Sequence, residues 1–325
     1  MADTSARPPA KTNPPNSTNN PLIMKHIICI GECTLDIVFE NAQPIGSMPG
    51  GRIINAAAAL ARAGLPAVMA SEASSDPVGD MIVDFLQTAG VDIASLDRFV
   101  QGSSPLMLFS DSSDGEYNIT RYENYGDGGF DIVWPRVSDQ SIVIFGGYYV
   151  LDPRMRPRMV PFLQNCAERH AVMSYVPGFP PQMVSRITKV MPAILDNLEL
   201  ADLVVTRTND LRHIFNTDDA ATCYRDHIDY YCHSMLNVDT ANAKLQYFSG
   251  KASSETAIES PTCASLLWNA GAIAGATRAI FDHGYAAKDL ADAAPDLREA
   301  VMAEALRMGN IAADAADTTW KLHLK

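Results

Sequence analysis

The segment SPTCASLLWNAG, residues 260–271, has the small side chains of a turn that leads from a strand into a helix. The Ala- and Gly-rich stretch from Trp268 to Ala279 predicts that helix. Unpaired backbone N–H groups and the helix dipole both favour a bound anion at such a helix start. Cys263 and Ser265 stand where such turns usually carry glycine, and two leucines follow without any charged group. The segment therefore predicts either a phosphate site or the frame of one.

Alternating strand and helix patterns supply the scaffold for this turn. Continuous apolar runs, such as KHIICI at residues 25–30 and SIVIFGG at 141–147, are typical of strands buried on both faces of a parallel sheet. Helical patterns lie between such runs, and Gly64 and Gly90 end two of the predicted helices. Repeated strand–helix–strand units favour an α/β fold with helices covering the sheet. Asp36 lies just beyond the end of the first predicted strand.

A different pattern occupies residues 99–122. There, PLMLFSDSSDGEYNITRY reads as two strands joined by an SSDG turn, which predicts a hairpin. Together with residues 40–48 it is expected to form a small sheet that projects from the main domain. The sequence thus predicts one domain over residues 23–325, with lid strands from about 40–48 and 99–122.

The segment GGRIINAAAALARAG resembles a signature of the ribokinase/PfkB family of carbohydrate kinases. The resemblance continues in order from about residue 25 to residue 315, through GECTLDIVF and SEASSDPVGDMIVDFLQTAGVDI. It implies a ribokinase-like, doubly wound and mostly parallel sheet flanked by helices, with a small β-sheet lid. It also implies ATP and Mg²⁺ as cofactors, a small carbohydrate or nucleoside as ligand, and a homodimer formed through the lid.

The resemblance implies four substrate-binding residues, which are Asp36, Gly50, Gly51 and Asn55. In the family, the aspartate of the first strand and the Gly-Gly/Asn segment bind hydroxyls of the substrate. This chemistry is sensible because a carboxylate can accept hydrogen bonds from two hydroxyls, and glycines let the backbone approach a ligand closely.

The opening segment matches the second family signature, a strand followed by Asp/Ser-Thr-x-Gly-Ala-Gly-Asp and a helix. Ala264 keeps its place in the anion turn, but Cys263 and Ser265 replace the two glycines. Leu266 replaces the aspartate that in the family takes the proton from the sugar hydroxyl. Loss of such a base typically slows a reaction by about 10²–10⁴-fold, and loss of one backbone donor by about 10²–10³-fold.

Two further family elements are altered. The stretch VPGFP, residues 176–180, stands where relatives carry Asp-Pro-Asn-x-Arg. The Asn-x-x-Glu element that helps to organise Mg²⁺ and phosphates falls on TNDL, so that Leu211 replaces its carboxylate while Asp210 lies one residue away. Groups for phosphate, metal and proton transfer are thus replaced together, and phosphoryl transfer depends on all of them.

Two main hypotheses follow from this pattern. The first is a catalytically impaired or inactive kinase-like protein, a pseudokinase candidate that senses a ligand or acts as a scaffold. The alternative is an active ATP-dependent sugar or nucleoside kinase with relocated catalytic groups, for which Asp210, Asp239 or a nearby Glu are candidates. A different chemistry that uses Cys263 at the helix start is a third hypothesis, because such a position can activate a thiol.

Composition limits the partners. A net charge of −13 disfavours binding to nucleic acid or to anionic lipid, and no run approaches the about 20 apolar residues of a membrane helix. The six cysteines include no CxxC pair, which is typical of reduced thiols in a cytoplasmic protein, and no metal site is predicted. Residues 1–22, rich in Pro, Asn, Ser and Thr, predict a disordered N-terminal tail.

Overall fold

Buried apolar strands form the centre of a nine-stranded sheet in this computed structural model. In β1 (Ile27–Ile30), Ile27 and Cys29 pack on one face of the sheet, whereas Ile28 and Ile30 pack on the other. Successive side chains of a strand point to opposite faces, so a strand covered by helices on both sides needs an unbroken apolar run.

The structure describes residues 25–111, 117–126, 131–239, 241–258 and 266–315. The predicted N-terminal tail, the SSDG turn of the predicted hairpin and the turn at residues 263–265 lie outside these ranges. After β1, the strands in chain order are β2 (Thr34–Glu40), β3 (Gln43–Gly50), β4 (Ala67–Ser74), β5 (Leu96–Phe99), β6 (Ser103–Asp111), β7 (Tyr117–Asn124), β8 (Ile142–Gly146), β9 (Val172–Val176), β10 (Leu203–Arg207), β11 (Ser234–Asp239), β12 (Lys244–Ser249) and β13 (Ala252–Ala257).

The helices follow the same alternation. In chain order they are α1 (Arg52–Arg62), α2 (Pro77–Ala89), α3 (Arg156–Glu168), α4 (Ile187–Glu199), α5 (Thr208–Phe215), α6 (Ala220–Cys223), α7 (Leu266–His283), α8 (Ala287–Asp292) and α9 (Pro295–Asp314). Short 3₁₀ turns occur at Tyr149–Leu151 and Pro181–Arg186, and a π-helical turn at Tyr224–Ile228. None of the helices in the described ranges is long and apolar enough to cross a membrane.

The large sheet has the strand order β13-β12-β11-β10-β9-β8-β1-β4-β5. Its strands from β11 to β5 pair in parallel, and β12 and β13 add an antiparallel edge. The strand order reverses at β1, with β4 on one side and β8 on the other. Ligands of open α/β sheets bind at such a reversal, beyond the carboxyl ends of the strands.

Helices cover both faces of the large sheet. The core that includes α1, α2, α7, α8 and α9 lies on one face, and the core that includes α3, α4 and α5 lies on the other. Helices α7 and α9 pack closely because Gly271 and Gly275 place no side chain between them. Trp268 of α7 is fully buried against Gly309, and its Nε1–H donates to Asn310 Oδ1 at 2.9 Å.

A separate four-stranded sheet has the order β3-β2-β6-β7. The pairs β3–β2 and β6–β7 are antiparallel, whereas β2 and β6 are parallel. Together with the large sheet and its helices, this confirms the predicted ribokinase-like α/β fold with a small second sheet.

Asp36 lies beyond the end of β1, as the sequence predicts, but it belongs to a second strand, β2, that the sequence did not predict. The chain leaves the large sheet at Gly31 and forms a new strand from Thr34, so Asp36 belongs to the small sheet. The apolar run of residues 25–39 therefore contributes to both sheets.

Candidate functional site

Asp36 lies on the small sheet where this sheet meets the carboxyl end of β1. Its side chain is 4% exposed, and the Thr34 hydroxyl donates to its Oδ1 at 2.6 Å. Burial raises the pKa of Asp36 to about 7, with a further increase from the charge of Glu32, while the Thr34 hydrogen bond and Arg121 act in the opposite direction. The carboxyl therefore changes its charge near neutral pH.

Gly50 and Gly51 pack directly against this carboxyl group and the chain beside it. A Cβ built on Gly50 would lie 1.9 Å from the carboxyl carbon of Asp36, so only glycine leaves room for that side chain. Gly51 has φ +109°, a conformation that favours glycine, and a Cβ there would lie 2.5 Å from the Glu32 carbonyl oxygen. The two glycines thus let the start of α1 contact Asp36.

Asn55 lies one turn into α1 and holds the same segment. Its Nδ2 donates to the carbonyl oxygen of Gly51 at 2.9 Å and to that of Pro49 at 3.4 Å. The structure therefore brings together Asp36, Gly50, Gly51 and Asn55, the four residues for which the sequence predicts substrate binding.

Arg121 of β7 lies on the same face of the small sheet as Asp36. Both residues pair with Met107 of the strand between them, so their side chains point to one side. The Arg121 guanidinium lies 4.3 Å from the centre of the Tyr148 ring, and its Nη2 contacts Glu123 Oε2 at 2.9 Å. The face of the small sheet that carries Asp36 therefore also carries a cation that contacts an aromatic ring and a carboxylate.

Glu32 adds a second carboxylate at this edge. It lies two residues after the end of β1, and its Oε2 accepts a hydrogen bond from the Tyr149 backbone N–H at 3.2 Å. Gly147, with φ +72°, leaves space for the Glu32 side chain, because a Cβ there would lie 2.2 Å from Oε2. Sequence reasoning missed both Glu32 and Arg121, although a charged residue two positions after a buried parallel strand was a usable signal for Glu32.

Asp210 lies just after β10, in the first turn of α5. It is completely buried, and Arg52 donates two hydrogen bonds to it, from Nη1 to Oδ2 at 2.6 Å and from Nη2 to Oδ1 at 2.9 Å. The backbone N–H groups of Phe179 and Arg207 donate to Oδ1 and Oδ2 at 3.1 and 3.2 Å. A carboxylate accepts about four hydrogen bonds, so these donors occupy it fully.

The charges around Asp210 decide its ionisation. Burial by itself would raise its pKa, but the charges of Arg52 and Arg207, together with the hydrogen bonds, outweigh burial and lower the pKa to about 2. Asp210 is thus ionised at neutral pH beside two guanidinium groups. Although Asp210 lies next to Leu211, which stands in the place of the family's carboxylate, its four donors leave it unable to accept a proton or to bind a metal.

Arg207 is the last residue of β10 and lies beside the Arg52–Asp210 pair. Its Nε is 3.6 Å from Asp210 Oδ2, and this buried Nε–H has no hydrogen-bond partner within the described part of the chain. Burial, followed by the charge of Arg52, lowers the pKa of Arg207 to about 10. A small cavity of about 10 Å³ lies next to Arg52 and Arg207, with Thr206 and Asn269 in its wall.

The residues at the expected magnesium position do not fit a magnesium ion. Leu211 is buried and apolar, and the neighbouring Asp210 is occupied by arginine and backbone donors. Thr208 is buried as well, and its hydroxyl accepts a hydrogen bond from Asn237 Nδ2 at 3.2 Å. In the described ranges, no three His, Cys, Asp or Glu side chains form a group that could hold a metal ion.

Of the predicted anion turn and the helix that follows it, the structure describes only the residues from Leu266 onward. Leu266 is the first residue of α7, and Asn269 lies one turn further on with 3% of its surface exposed. Cys263, Ala264 and Ser265 lie outside the described residues. The other five cysteines are buried free thiols, and burial raises the pKa of each of them to about 12.

The altered stretch VPGFP runs from the last residue of β9 to the 3₁₀ turn that precedes α4. Gly178 has φ +53° and packs on Gly147, whose Cα would lie 3.1 Å from a Cβ at Gly178. The next residue, Phe179, is the one whose N–H donates to Asp210. This stretch therefore contributes to the environment of Asp210 through its backbone.

A sequence profile described as pfkB family carbohydrate kinase matches residues 24–235. The chain belongs to the PfkB family. The profile covers the predicted substrate-binding segment around Asp36 and the Arg52–Asp210 pair, and it ends before the predicted anion turn. A comparison with curated proteins returned no match.

Solved structures support the fold of this PfkB chain. It superposes on fructokinase from Xylella fastidiosa with bound ATP at a TM-score of 0.71 and 18% identity, with 92% of this chain and 94% of that one covered. Fructokinase from Vibrio cholerae O395 with fructose, ADP and calcium gives 0.70 and 14%, covering 93% and 96%. Aminoimidazole riboside kinase from Salmonella enterica gives 0.67 and 17%, covering 91% and 96%.

Proposed function

We propose that this PfkB-family protein binds a small carbohydrate or nucleoside and is impaired in, or inactive for, phosphoryl transfer. Its role is then that of a ligand sensor or a scaffold. The observation that carries the proposal is the saturation of Asp210 by Arg52 and two backbone N–H groups. Leu211 stands where the family carries a carboxylate that helps to organise Mg²⁺ and phosphates. The neighbouring Asp210 cannot take over this role, because its oxygens already accept hydrogen bonds.

The substrate end of the cleft supports ligand binding. Asp36, Gly50 and Asn55 form a connected segment in which a buried carboxyl group lies against bare backbone. A polyhydroxy ligand suits this arrangement, because hydroxyls can both donate to a carboxylate and accept from nearby N–H groups. The solved fructokinase of Vibrio cholerae O395, which shares the fold, contains fructose.

The replacement of the catalytic aspartate by Leu266 supports impaired transfer independently of Asp210. A leucine side chain has no atom that accepts a proton, and general-base loss alone typically costs about 10²–10⁴-fold in rate. ATP and Mg²⁺ remain the cofactors that family membership would supply. Of these, Mg²⁺ finds no suitable ligand group among the described residues at the expected position.

The deciding experiment measures sugar-dependent ADP release from Mg·ATP with a panel of sugars and nucleosides, alongside the thermal shift that each ligand produces. We expect a ligand-induced rise in melting temperature without ADP release above background. Asp36→Asn should remove the shift, whereas Gln43→Ala, on an exposed position of β3, should retain it. Robust ADP release that depends on the sugar would overturn the proposal.

The alternative of an active kinase has one candidate base left among the described carboxylates near β10. Asp239 ends β11, next to β10, and accepts hydrogen bonds from the N–H and Nδ2 of Asn242 at 3.1 and 2.8 Å. If the assay detects turnover, Asp239→Asn should abolish it under this alternative. Turnover that survives this substitution would leave the alternative without a base.

We further propose a cytoplasmic homodimer formed through the small sheet. Ile37, Leu108 and Tyr122 share the face of the sheet opposite Asp36, and Tyr122 is 57% exposed. Sedimentation of the protein and of Leu108→Lys tests this interface, and a monomer at micromolar concentration would contradict it. Cell fractionation tests the compartment.

A further inference from the structure

A groove of about 690 Å³ lies on the face of the large sheet that α3, α4 and α5 cover. It is separate from the candidate site, because Asp210 lies in the first turn of α5, whereas the groove is lined by the last residues of that helix. The remaining walls come from α4 and from the residues in and after the π-helical turn, a type of turn that is frequent at functional sites. The lining includes Met191, Leu195, Phe215, His227, Tyr230 and Tyr231.

Four aromatic rings give this groove its character. Phe215 and His227 stack with their ring centres 4.7 Å apart, and Tyr230 lies edge-on to Tyr231 at 5.0 Å. Tyr230 is 88% exposed, so a large aromatic surface faces water. Aromatic-lined grooves bind proline-rich peptides in the polyproline II conformation, because such a peptide is already extended and loses little entropy on binding. The groove therefore favours a proline-rich segment as its occupant.

The chain itself contains such a segment, RPPAKTNPPN, at residues 7–16. A polyproline II helix has about three residues per turn, so Pro8, Lys11 and Pro14 would share one face of it. Two prolines with a cation between them suit a groove of aromatic rings, since the rings contact both prolines and ammonium groups favourably. The sequence predicts no fold for this segment, so docking in extended form competes with no other structure.

Charge favours the same pairing. Residues 1–24 contain two basic residues and one acidic residue, whereas the whole chain carries a net charge of −13. Asp226 stands in the groove wall, and its side chain is 46% exposed beside Arg225. Arg225 donates two hydrogen bonds to this carboxylate, which accepts about four. Asp226 therefore retains acceptor sites for Lys11.

The segment is long enough to reach the groove. Tyr230 and Tyr231 come shortly before β11, and Lys25 shortly before β1, so both lie at the edge where these parallel strands begin. Four strand spacings separate β11 from β1, which is about 19 Å. Lys25 lies on the side of α7, with its Nζ 4.0 Å from the centre of the Phe281 ring, so the segment must pass around this edge. Residues 8–24 span about 50 Å as polyproline II, which exceeds that path even with a helix layer of about 10–12 Å on each face.

We propose that residues 8–16 dock as a polyproline II segment in the groove between α4, α5 and Tyr230 of the same molecule. The covalent link gives the segment an effective concentration of about a millimolar, so even a contact of modest affinity is occupied most of the time. A proline-rich segment of another protein lacks this advantage. The proposal is independent of the carbohydrate site at Asp36.

Trypsin cleavage after Lys11 tests the docking in the full chain, with a synthetic peptide of residues 5–20 as the undocked reference. We expect cleavage to be at least about fivefold slower in the full chain, the ratio that a millimolar effective concentration gives for a contact of a few hundred micromolar. Tyr230→Ala leaves the cleaved sequence unchanged, and its rate should approach that of the peptide. Val100→Ala, at an exposed apolar residue just after β5, should retain the protection. Equal rates in the full chain and in Tyr230→Ala would overturn the proposal.

Photo-cross-linking then locates the segment. Asn16→benzoylphenylalanine should form adducts with residues 187–199, 208–216 or 224–231, which mass spectrometry of the digested protein identifies. Adducts confined to other parts of the chain would overturn the groove as the docking site. Cross-linked dimers, or protection of Lys11 that rises with protein concentration, would place the segment in the groove of a second copy and overturn docking within one molecule.

Discussion

Arg52 and Asp210 form a two-pronged ion pair that joins the first turn of α1 to the first turn of α5, with N–O distances of 2.6 and 2.9 Å. The pair is 158 residues apart in sequence and spans the carboxyl edge of the large sheet. It ties the Gly-Gly segment that contacts Asp36 to the element where family members carry a metal-organising carboxylate. The same contact therefore holds the start of α1 in place beside Asp36 and occupies the carboxylate of Asp210.

Breaking this pair should be costly. Asp210→Asn removes the charge that two arginines share in a buried setting, and loss of one partner of a buried pair typically costs about 3–5 kcal/mol. Urea unfolding followed by circular dichroism measures the change in the free energy of unfolding. Asp218→Asn, which breaks only an exposed pair with Arg212, should cost less than about 1 kcal/mol. Similar costs for the two variants would contradict the structural role of Asp210.

Ligand affinity should depend on pH through Asp36. Its pKa of about 7 means that the ionised fraction rises about tenfold between pH 6 and pH 8, and ionised Asp36 is the better acceptor for ligand hydroxyls. The dissociation constant of a bound sugar should fall by a similar factor over this range. Calorimetry at several pH values checks this, and a profile that is equally steep in Asp36→Asn would exclude Asp36 as its source.

The same group should affect stability with the opposite sign. Because the pKa of Asp36 is raised in the folded state, the ligand-free fold holds more protons than the unfolded chain between about pH 4 and pH 7. The contribution of Asp36 to stability is therefore full below about pH 4 and is lost as the pH rises through 7, with an upper bound of roughly 4 kcal/mol. Asp36→Asn should flatten this part of the stability profile, and an unchanged slope would be evidence against the raised pKa.

Gly50→Ala should disrupt the carbohydrate site more than the fold. The added methyl would lie 1.9 Å from the Asp36 carboxyl carbon, so that side chain must leave its position. Overpacking of this kind costs about 1–3 kcal/mol, and we expect ligand binding to weaken by at least about tenfold. Thermal shift with and without ligand gives both quantities, with Gln43→Ala on the same strand as the control. Undiminished binding would exclude close contact between the ligand and this segment.

Gly275→Ala tests the close packing of α7 on α9. Alanine favours a helix by about 1 kcal/mol over glycine, but here its Cβ would lie 2.1 Å from the Glu304 carbonyl oxygen. The helices must separate, and we expect a net loss of about 1–3 kcal/mol in unfolding free energy. Asp282→Ala, at an exposed position of α7, should change stability by less than about 0.5 kcal/mol. A stabilised Gly275→Ala would show that the two helices do not pack this closely.

Leu266→Asp restores only one of the altered catalytic elements. Since Leu211 and the occupied Asp210 are unchanged in this variant, we expect ADP release to stay at the background level. Catalytic groups that act as a unit do not recover one at a time. A rise of about 10²-fold or more would show that the remaining phosphate machinery is intact and would favour the active-kinase hypothesis.

The sequence predicted the main sheet well, because its central strands are unbroken apolar runs and several helices end at glycine. It missed β5 and β13 for a physical reason. The four residues of β5 include two charged side chains, and in β13 half-buried residues alternate with exposed ones at the edge of the sheet. Strands without an apolar face depend on a neighbouring strand, and that neighbour is not visible in the local pattern.

In the candidate site, too, some features follow from the sequence and others only from the tertiary structure. By itself the sequence determined the family resemblance, the Gly-Gly/Asn segment and the replacement by Leu266, because these depend on residue type and local spacing. Only the tertiary structure decided that Asp36 belongs to the small sheet, that Arg121 lies on the same face of that sheet, and that Asp210 is held by Arg52. Such contacts join segments far apart in sequence, and their energies depend on burial and on charges that meet only when the sheets and helices have assembled.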